Sequence, residues 1–202
     1  MKSALLALAL ISGSALAAVY ATDASIEMEN PWVRVVRVSY TPHQKTAIHD
    51  HPPTPTIYVY VTDGGRLKIG HEKELVTRPP VKAGGIRYQK GVAERHEVEE
   101  IDGVASEYLR IELKVKPLDL PEDDVRRQPT DRTPYEGRML RILRVTCPAN
   151  GVCPPSAHPE NPAVVVYGKT WKWLAANSAP LKNDSPAPVE QVRVELITEP
   201  AN

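Results

Sequence analysis

His49-Asp50-His51, followed forty-five residues later by His96, is the part of this chain best suited to chemistry. Successive side chains of a strand point to opposite faces, so two histidines one residue apart share a face. A third imidazole from a later strand then completes a three-nitrogen cap for a divalent metal. Three neutral imidazoles bind a borderline divalent ion well and leave positions open for water or a substrate. The competing reading makes His49 and His51 buried polar residues, bonded to each other or to Tyr58 or Tyr60.

Other residues offer less. Trp171 and Trp173 lie on one strand face and could stack on a sugar ring, although core packing is the commoner reason for such a pair. His71, in His71-Glu72-Lys73-Glu74, reads as a solvated turn residue. Arg34, Arg37, Arg141 and Arg144 read as a solvated strand face paired with Glu112 and Glu195 across a sheet. No Gly-rich phosphate loop, nucleophile elbow, paired-aspartate site or Ser-His-Asp arrangement is visible.

Strands must position the histidines. Twenty prolines, no phenylalanine and valine-rich runs of four to seven residues point to β structure with many turns. No stretch holds a 3.6-residue apolar period over three turns, so helices should be few and short. Readable strands are Trp32 to Tyr40, Ile57 to Val61, Gly85 to Gln89, His96 to Glu100 and Glu107 to Lys114. The charge is balanced, which argues against a nucleic-acid partner and a polybasic membrane patch.

The first 21 residues have the order of a secretory signal peptide: Lys2, an apolar run from Ala4 to Ile11, then Ala15-Leu16-Ala17 and Val19-Tyr20-Ala21. That run is too short to span a bilayer, and no later one is long enough. The expectation is an exported protein, periplasmic or extracellular, with no stable membrane insertion. In such a compartment Cys147 and Cys153 are read as a local disulfide closing a Pro-Asn-Gly turn.

The chain also repeats itself. At an offset of 107, Arg34 falls on Arg141, Arg37 on Arg144, His51 on His158, Pro52 on Pro159 and Tyr60 on Tyr167. Beyond Tyr60 the offset becomes 83, so that Gly85 falls on Gly168, Arg110 on Arg193, Glu112 on Glu195 and Leu113 on Leu196. The difference of 24 residues is the stretch Val61 to Gly84, which reads as a hairpin that the second half has lost. The expected organisation is a signal peptide at 1–21, a first β unit at 22–115, a surface linker at 116–136 and a shortened second unit at 137–202. In the second unit the places of His49, His51 and His96 are held by Ser156, His158 and Ala179, too few donors for a metal. His158 is then a core or edge residue that packs against the first barrel or closes a dimer.

These residues resemble the cupin superfamily. Its first motif, G-x5-H-x-H-x3,4-E-x6-G, is met by His43-x5-His49-x-His51 and later Gly64. Its second, G-x5-P-x-G-x2-H-x3-N, reads here from Gly85 through Gly91 to His96 and Glu100. The stretch Arg87-Tyr88 through His96 to Gly103 is similar to the quercetin-dioxygenase-like cupins. The resemblance implies an all-β fold of two cupin-type jelly-roll barrels, the second shortened by one hairpin: a small bicupin. It implies a divalent transition metal (Fe, Zn, Mn or Ni) on His49, His51 and His96, with a small-molecule ligand and a homodimer as expected partners. The motif's glutamate is missing, its place falling on Pro55, Thr56 and Ile57. Some similar cupins, the thiol dioxygenases, work with three histidines alone. Glu94 and Glu100 share strand parity with His96 and are the candidates for a substitute acid. His43 stands for the opening glycine of the first motif and Glu100 for the closing asparagine of the second.

Two functions follow. One is a metal-dependent dioxygenase or isomerase acting on a small organic molecule, with the metal as Lewis acid or O₂ site and Tyr58, Tyr60 or Glu94 as polar or proton-transfer groups. The other is a non-catalytic periplasmic binding or structural module with a degenerate metal site, whose useful surface is the hairpin from Val61 to Gly84.

Overall fold

A computed structural model describes residues 24–89, 91–114, 135–136 and 140–197. The expected signal peptide and most of the expected linker lie outside these residues. Every regular element among the described residues is a strand, as the β-branched runs between Gly and Pro turns dictate.

One five-stranded sheet contains β1 (Ala24–Glu29), β2 (Val33–Tyr40), β4 (Thr56–Tyr60), β7 (Ile86–Gln89) and β9 (Ser106–Leu113), in the order β1-β2-β9-β4-β7. A second contains β10 (Tyr135–Glu136), β11 (Leu140–Cys147), β13 (Ala163–Tyr167), β14 (Thr170–Leu174) and β16 (Val189–Leu196), in the order β10-β11-β16-β13-β14. The two orders correspond strand for strand. An offset of 107 carries the bounds of β2 onto β11 and of β4 onto β13, and 83 carries β9 onto β16. Register follows too: Val33 pairs with Leu113 as Leu140 pairs with Leu196, and Thr56 with Glu112 as Ala163 with Glu195.

A four-stranded sheet belongs to the first half alone. It is built from β3 (His49–His51), β5 (Leu67–His71), β6 (Leu75–Arg78) and β8 (Glu94–Glu100), ordered β3-β8-β5-β6. Both strands of the hairpin that the second half lacks are in it. In the second half, β12 (Gly151–Val152) and β15 (Lys182–Asn183) form a two-stranded sheet.

Side-chain parity makes the first five-stranded sheet the middle of three layers. Its odd-numbered residues Val33, Val35, Ile57, Val59, Leu109 and Ile111 share one core with Leu140, Ile142, Val164, Val166, Val192 and Val194 of the second sheet. On its even-numbered face, Val36, Val38 and Tyr40 pack with Ile69 and Val98 of the histidine sheet. Such burial is the main favourable term, at roughly 25 cal/mol per Å² of apolar surface.

Two expectations are corrected here. Tyr135, at the end of the expected surface linker, is buried in the shared core with its ring 5.3 Å from Tyr88. Glu112 and Glu195, expected on a solvated strand face as partners of the recurring arginines, are 2% and 1% exposed, and Arg110 beside Glu112 is 5% exposed. A central strand between two layers has no wet face, so its charges have to be paired internally.

Cys147 and Cys153 form the expected disulfide. Asn150 adopts the left-handed backbone that its turn requires (φ 48°), a conformation asparagine tolerates better than most residues. Closing so short a loop stabilises by about 2 kcal/mol in the chain-entropy estimate.

Candidate metal centre

β3 and β8 are hydrogen-bonded neighbours whose register places His49 opposite His96 and His51 opposite Glu94. Parity then turns His49, His51, Glu94 and His96 toward the interior shared with the even face of the middle sheet. The three imidazole centroids are each 4.8 Å from the other two. One ring nitrogen from each lies within 4.8 Å of the others.

This donor set fits a divalent ion. The carbonyl of Ala47 lies 2.8 Å from His49 Nδ1, which takes that ring's N–H and leaves the Nε2 lone pair free. His96 Nδ1 is buried with no hydrogen-bond partner, a costly arrangement unless something binds there. Two nitrogens each ~2.1 Å from one ion lie at most ~4.2 Å apart, so the widest pair closes slightly on loading. His51 differs from the other two, because Arg110 Nη1 donates to its Nδ1 at 2.8 Å. Ligation through His51 Nε2 needs the ring proton on Nδ1, so Arg110 has to release that nitrogen. Glu112, 2.6 Å from Arg110 Nη2, is there to keep it.

Burial pulls His51 down to about 2, helped by the charge of Arg110 and then by the other two imidazoles. Burial likewise pulls His96 down to about 3, with His49, His71, Arg110 and Arg78 adding to it. Both rings are neutral at pH 7, the form that ligates metal. The unfolded rings titrate near ~6.5, so below that pH the unfolded chain takes up protons that the native chain refuses. Their contribution to stability is full above pH ~6.5 and is lost as the pH falls. Metal-stripped protein is expected to lose on the order of 1–2 kcal/mol between pH 6.5 and 5, after discounting half-buried His51 for screening. Urea midpoints at the two pH values measure this. A drop that is equally large in a His51→Gln/His96→Gln variant would assign it to other groups.

Tyr58, Tyr60 and Glu94, singled out from the sequence, line the same cavity of about 50 Å³ as the three histidines. Tyr58 donates to Gln89 Oε1 at 2.7 Å. Burial raises the Tyr60 phenol, which therefore stays a donor at neutral pH. Glu94 Oε2 is 3.5 Å from His96 Nδ1. Glu100 faces inward as expected but serves a loop, its carboxylate accepting from the backbone N–H groups of His43, Asp102 and Gly103 at 2.8–2.9 Å. The two motif departures are thus one contact: His43 holds a left-handed backbone (φ 57°) where the motif has glycine, and Glu100 bonds its N–H.

His71 is corrected. It ends β5 opposite His96 across the ladder, half-buried, with its ring 5.4 Å edge-on to that of His96. Arg78, Arg87, Arg110 and Tyr108 also line the cavity, and sequence reasoning missed them. For Arg110 a signal existed, since it recurs as Arg193 two residues before a repeated glutamate.

Among the described residues, the second half has no such centre. Ser156 donates to Glu195 Oε1 at 2.6 Å. His158 is exposed beside Glu160 rather than packed against the first half, and Ala179 is exposed. Trp171 and Trp173 are half-buried against the shared core, the commoner role of such a pair, with Trp171 Nε1 donating to Glu27. Arg34 and Arg141 do pair with Glu112 and Glu195, at 3.5 and 3.3 Å, but with buried carboxylates. Arg37 pairs with Glu27 and Glu107, and Arg144 with Glu190 at 3.1 Å.

No family model and no curated protein matches the sequence. Solved structures do match. AerE from Microcystis aeruginosa is 14% identical over 89% of this chain and 99% of its own, with a TM-score of 0.51. A cupin domain from Bordetella pertussis is 21% identical over 46% of this chain and 92% of its own, with a TM-score of 0.40. An uncharacterised Klebsiella pneumoniae protein with a double-stranded β-helix domain is 19% identical over 44% and 73%, with a TM-score of 0.34. At 14% identity what is shared with AerE is the architecture, and the architecture of this chain is an all-β jelly roll.

Proposed function

We propose that this chain is an exported bicupin whose first half binds one divalent transition metal (Fe, Zn, Mn or Ni) through His49, His51 and His96. The convergence of three ring nitrogens within 4.8 Å is the observation that carries this reading. A bound ion supplies Lewis acidity or a site for O₂, which suits oxidation or isomerisation of a small organic molecule. Tyr60 is held protonated by burial and donates to a bound molecule. Tyr58 is oriented by Gln89, and Glu94 is the carboxylate within reach of a proton at the His96 edge. The inner cavity of about 50 Å³ admits only a few water-sized groups, which suits the reacting end of a small molecule. Export is supported by the leader pattern of residues 1–21 and by the Cys147–Cys153 disulfide. Among the described residues no helix is long and apolar enough to cross a membrane.

A second reading, a non-catalytic module with a degenerate site, is favoured by Arg110, whose guanidinium already takes the His51 lone pair. Elemental analysis of the protein as purified decides between them. Close to one transition metal per chain supports the first. Metal-free protein that takes up none of Fe²⁺, Zn²⁺, Ni²⁺ or Mn²⁺ in titration leaves the second.

A further inference from the structure

The described arginines of the first half divide into two groups. Arg34, Arg37, Arg66, Arg95 and Arg110 each stand beside a carboxylate, at 3.0 Å or closer. Arg78 and Arg87 have no ion pair among the described residues, and both line the histidine cavity. Arg78 Nε is buried there without a hydrogen-bond partner. Burial, together with the charge of Arg87, pulls the Arg78 guanidinium below its usual range. Arg87 is steadied over the Tyr58 ring, 5.0 Å from its centroid.

The charge balance of the cavity follows. Glu112 neutralises Arg110, and Glu94 is the one carboxylate in the lining, against Arg78 and Arg87. The lining is positive before any metal adds charge. Unpaired guanidinium groups beside an apolar wall are expensive unless an anion completes them. The guanidinium fork matches a carboxylate, and the small inner volume suits a group of that size.

Arg78 also closes β6, in the hairpin that the second half lacks, and the counterpart of Arg87 there is Thr170. The half that keeps only one of the three histidines, His158, has lost both arginines. The hairpin forms a wall of this pocket through Leu67, Ile69, His71 and Arg78, rather than standing apart as an independent surface.

From this we infer that the cavity binds a small organic carboxylate, its carboxylate group held by Arg78 and Arg87 beside the three imidazoles. The inference deepens the function proposed above and rests on the same pocket being the working centre. The test titrates acetate and its neutral isostere acetamide into the mature protein, both metal-free and Zn²⁺-loaded, by calorimetry or NMR. Acetate is expected to bind at least about ten-fold more tightly than acetamide in both forms. An Arg78→Gln/Arg87→Gln variant is expected to lose that preference and keep its Zn²⁺ stoichiometry. Equal binding of acetate and acetamide to the unaltered metal-free chain overturns the inference whether or not the variant folds. So does an unaltered acetate affinity in a folded variant, which would put the anion on the metal alone. Zn²⁺ uptake is read separately: a chain that prefers acetate but binds no Zn²⁺ upholds the carboxylate pocket while refuting the metal centre.

Discussion

A His49→Ser variant is expected to lose stoichiometric metal binding, its affinity for Zn²⁺ or Fe²⁺ falling at least ~100-fold. Serine is what the second half carries at the matching position, Ser156, so the substitution imposes on the first half what that half already displays. His49 is the best prepared of the three donors. It is buried, its ring is fixed by the Ala47 carbonyl at 2.8 Å, and its centroid is 4.8 Å from each partner ring. Loss of an outer-shell partner of a ligand already costs ~10–100-fold, so loss of the ligand itself should cost more. The serine hydroxyl is shorter than an imidazole and leaves two imidazoles, one of them bonded at Nδ1 by Arg110. Chelator-competition titration with elemental analysis gives the number, and circular dichroism shows that the sheet persists. A folded His49→Ser protein with one metal per chain at unchanged affinity would remove the site from the account.

Much of this architecture was legible in the residue pattern because repeats and parity are one-dimensional signals. The two offsets, 107 and 83, carry the bounds of β2, β4 and β9 onto those of β11, β13 and β16, and the two hairpin strands fall within the 24 missing residues. The grouping of His49, His51 and His96 follows from i, i+2 spacing and one antiparallel pairing. Less legible was anything that depends on a third layer. The sequence gives no hint that the odd face of the middle sheet meets the second sheet while its even face meets the histidines. Glu112 and Glu195 therefore looked solvated and are buried. His71 looked like a turn residue because Glu72, Lys73 and Glu74 follow it, yet its strand places it opposite His96. Tyr135 sat in a polar, proline-rich run and still entered the core, since a strand of two residues needs little sequence to announce it.

Glu112→Ala is expected to destabilise the fold by about 3–5 kcal/mol, because it leaves a buried guanidinium without its counter-charge. Glu112 is 2% exposed, lies 2.6 Å from Arg110 Nη2 and 3.5 Å from Arg34 Nη1, and stands opposite Thr56 on the neighbouring strand. Arg110 is itself 5% exposed, so water cannot replace the lost carboxylate. For a chain of this size each kcal/mol moves the melting temperature by roughly 2–4 °C, which puts the expected fall at about 10 °C. The second half repeats the device with Glu195, which is 3.3 Å from Arg141, 3.9 Å from Arg193 and 2.6 Å from the Ser156 hydroxyl. A half that keeps this network while lacking two of the three histidines uses it for folding rather than for metal. The control is the double variant Arg110→Leu/Glu112→Leu, which removes both charges and should recover most of the loss. Urea denaturation of the three proteins measures it. A Glu112→Ala midpoint within experimental error of the unaltered chain would mean that Arg110 finds another partner, and the His51 nitrogen it already touches would be the first place to look.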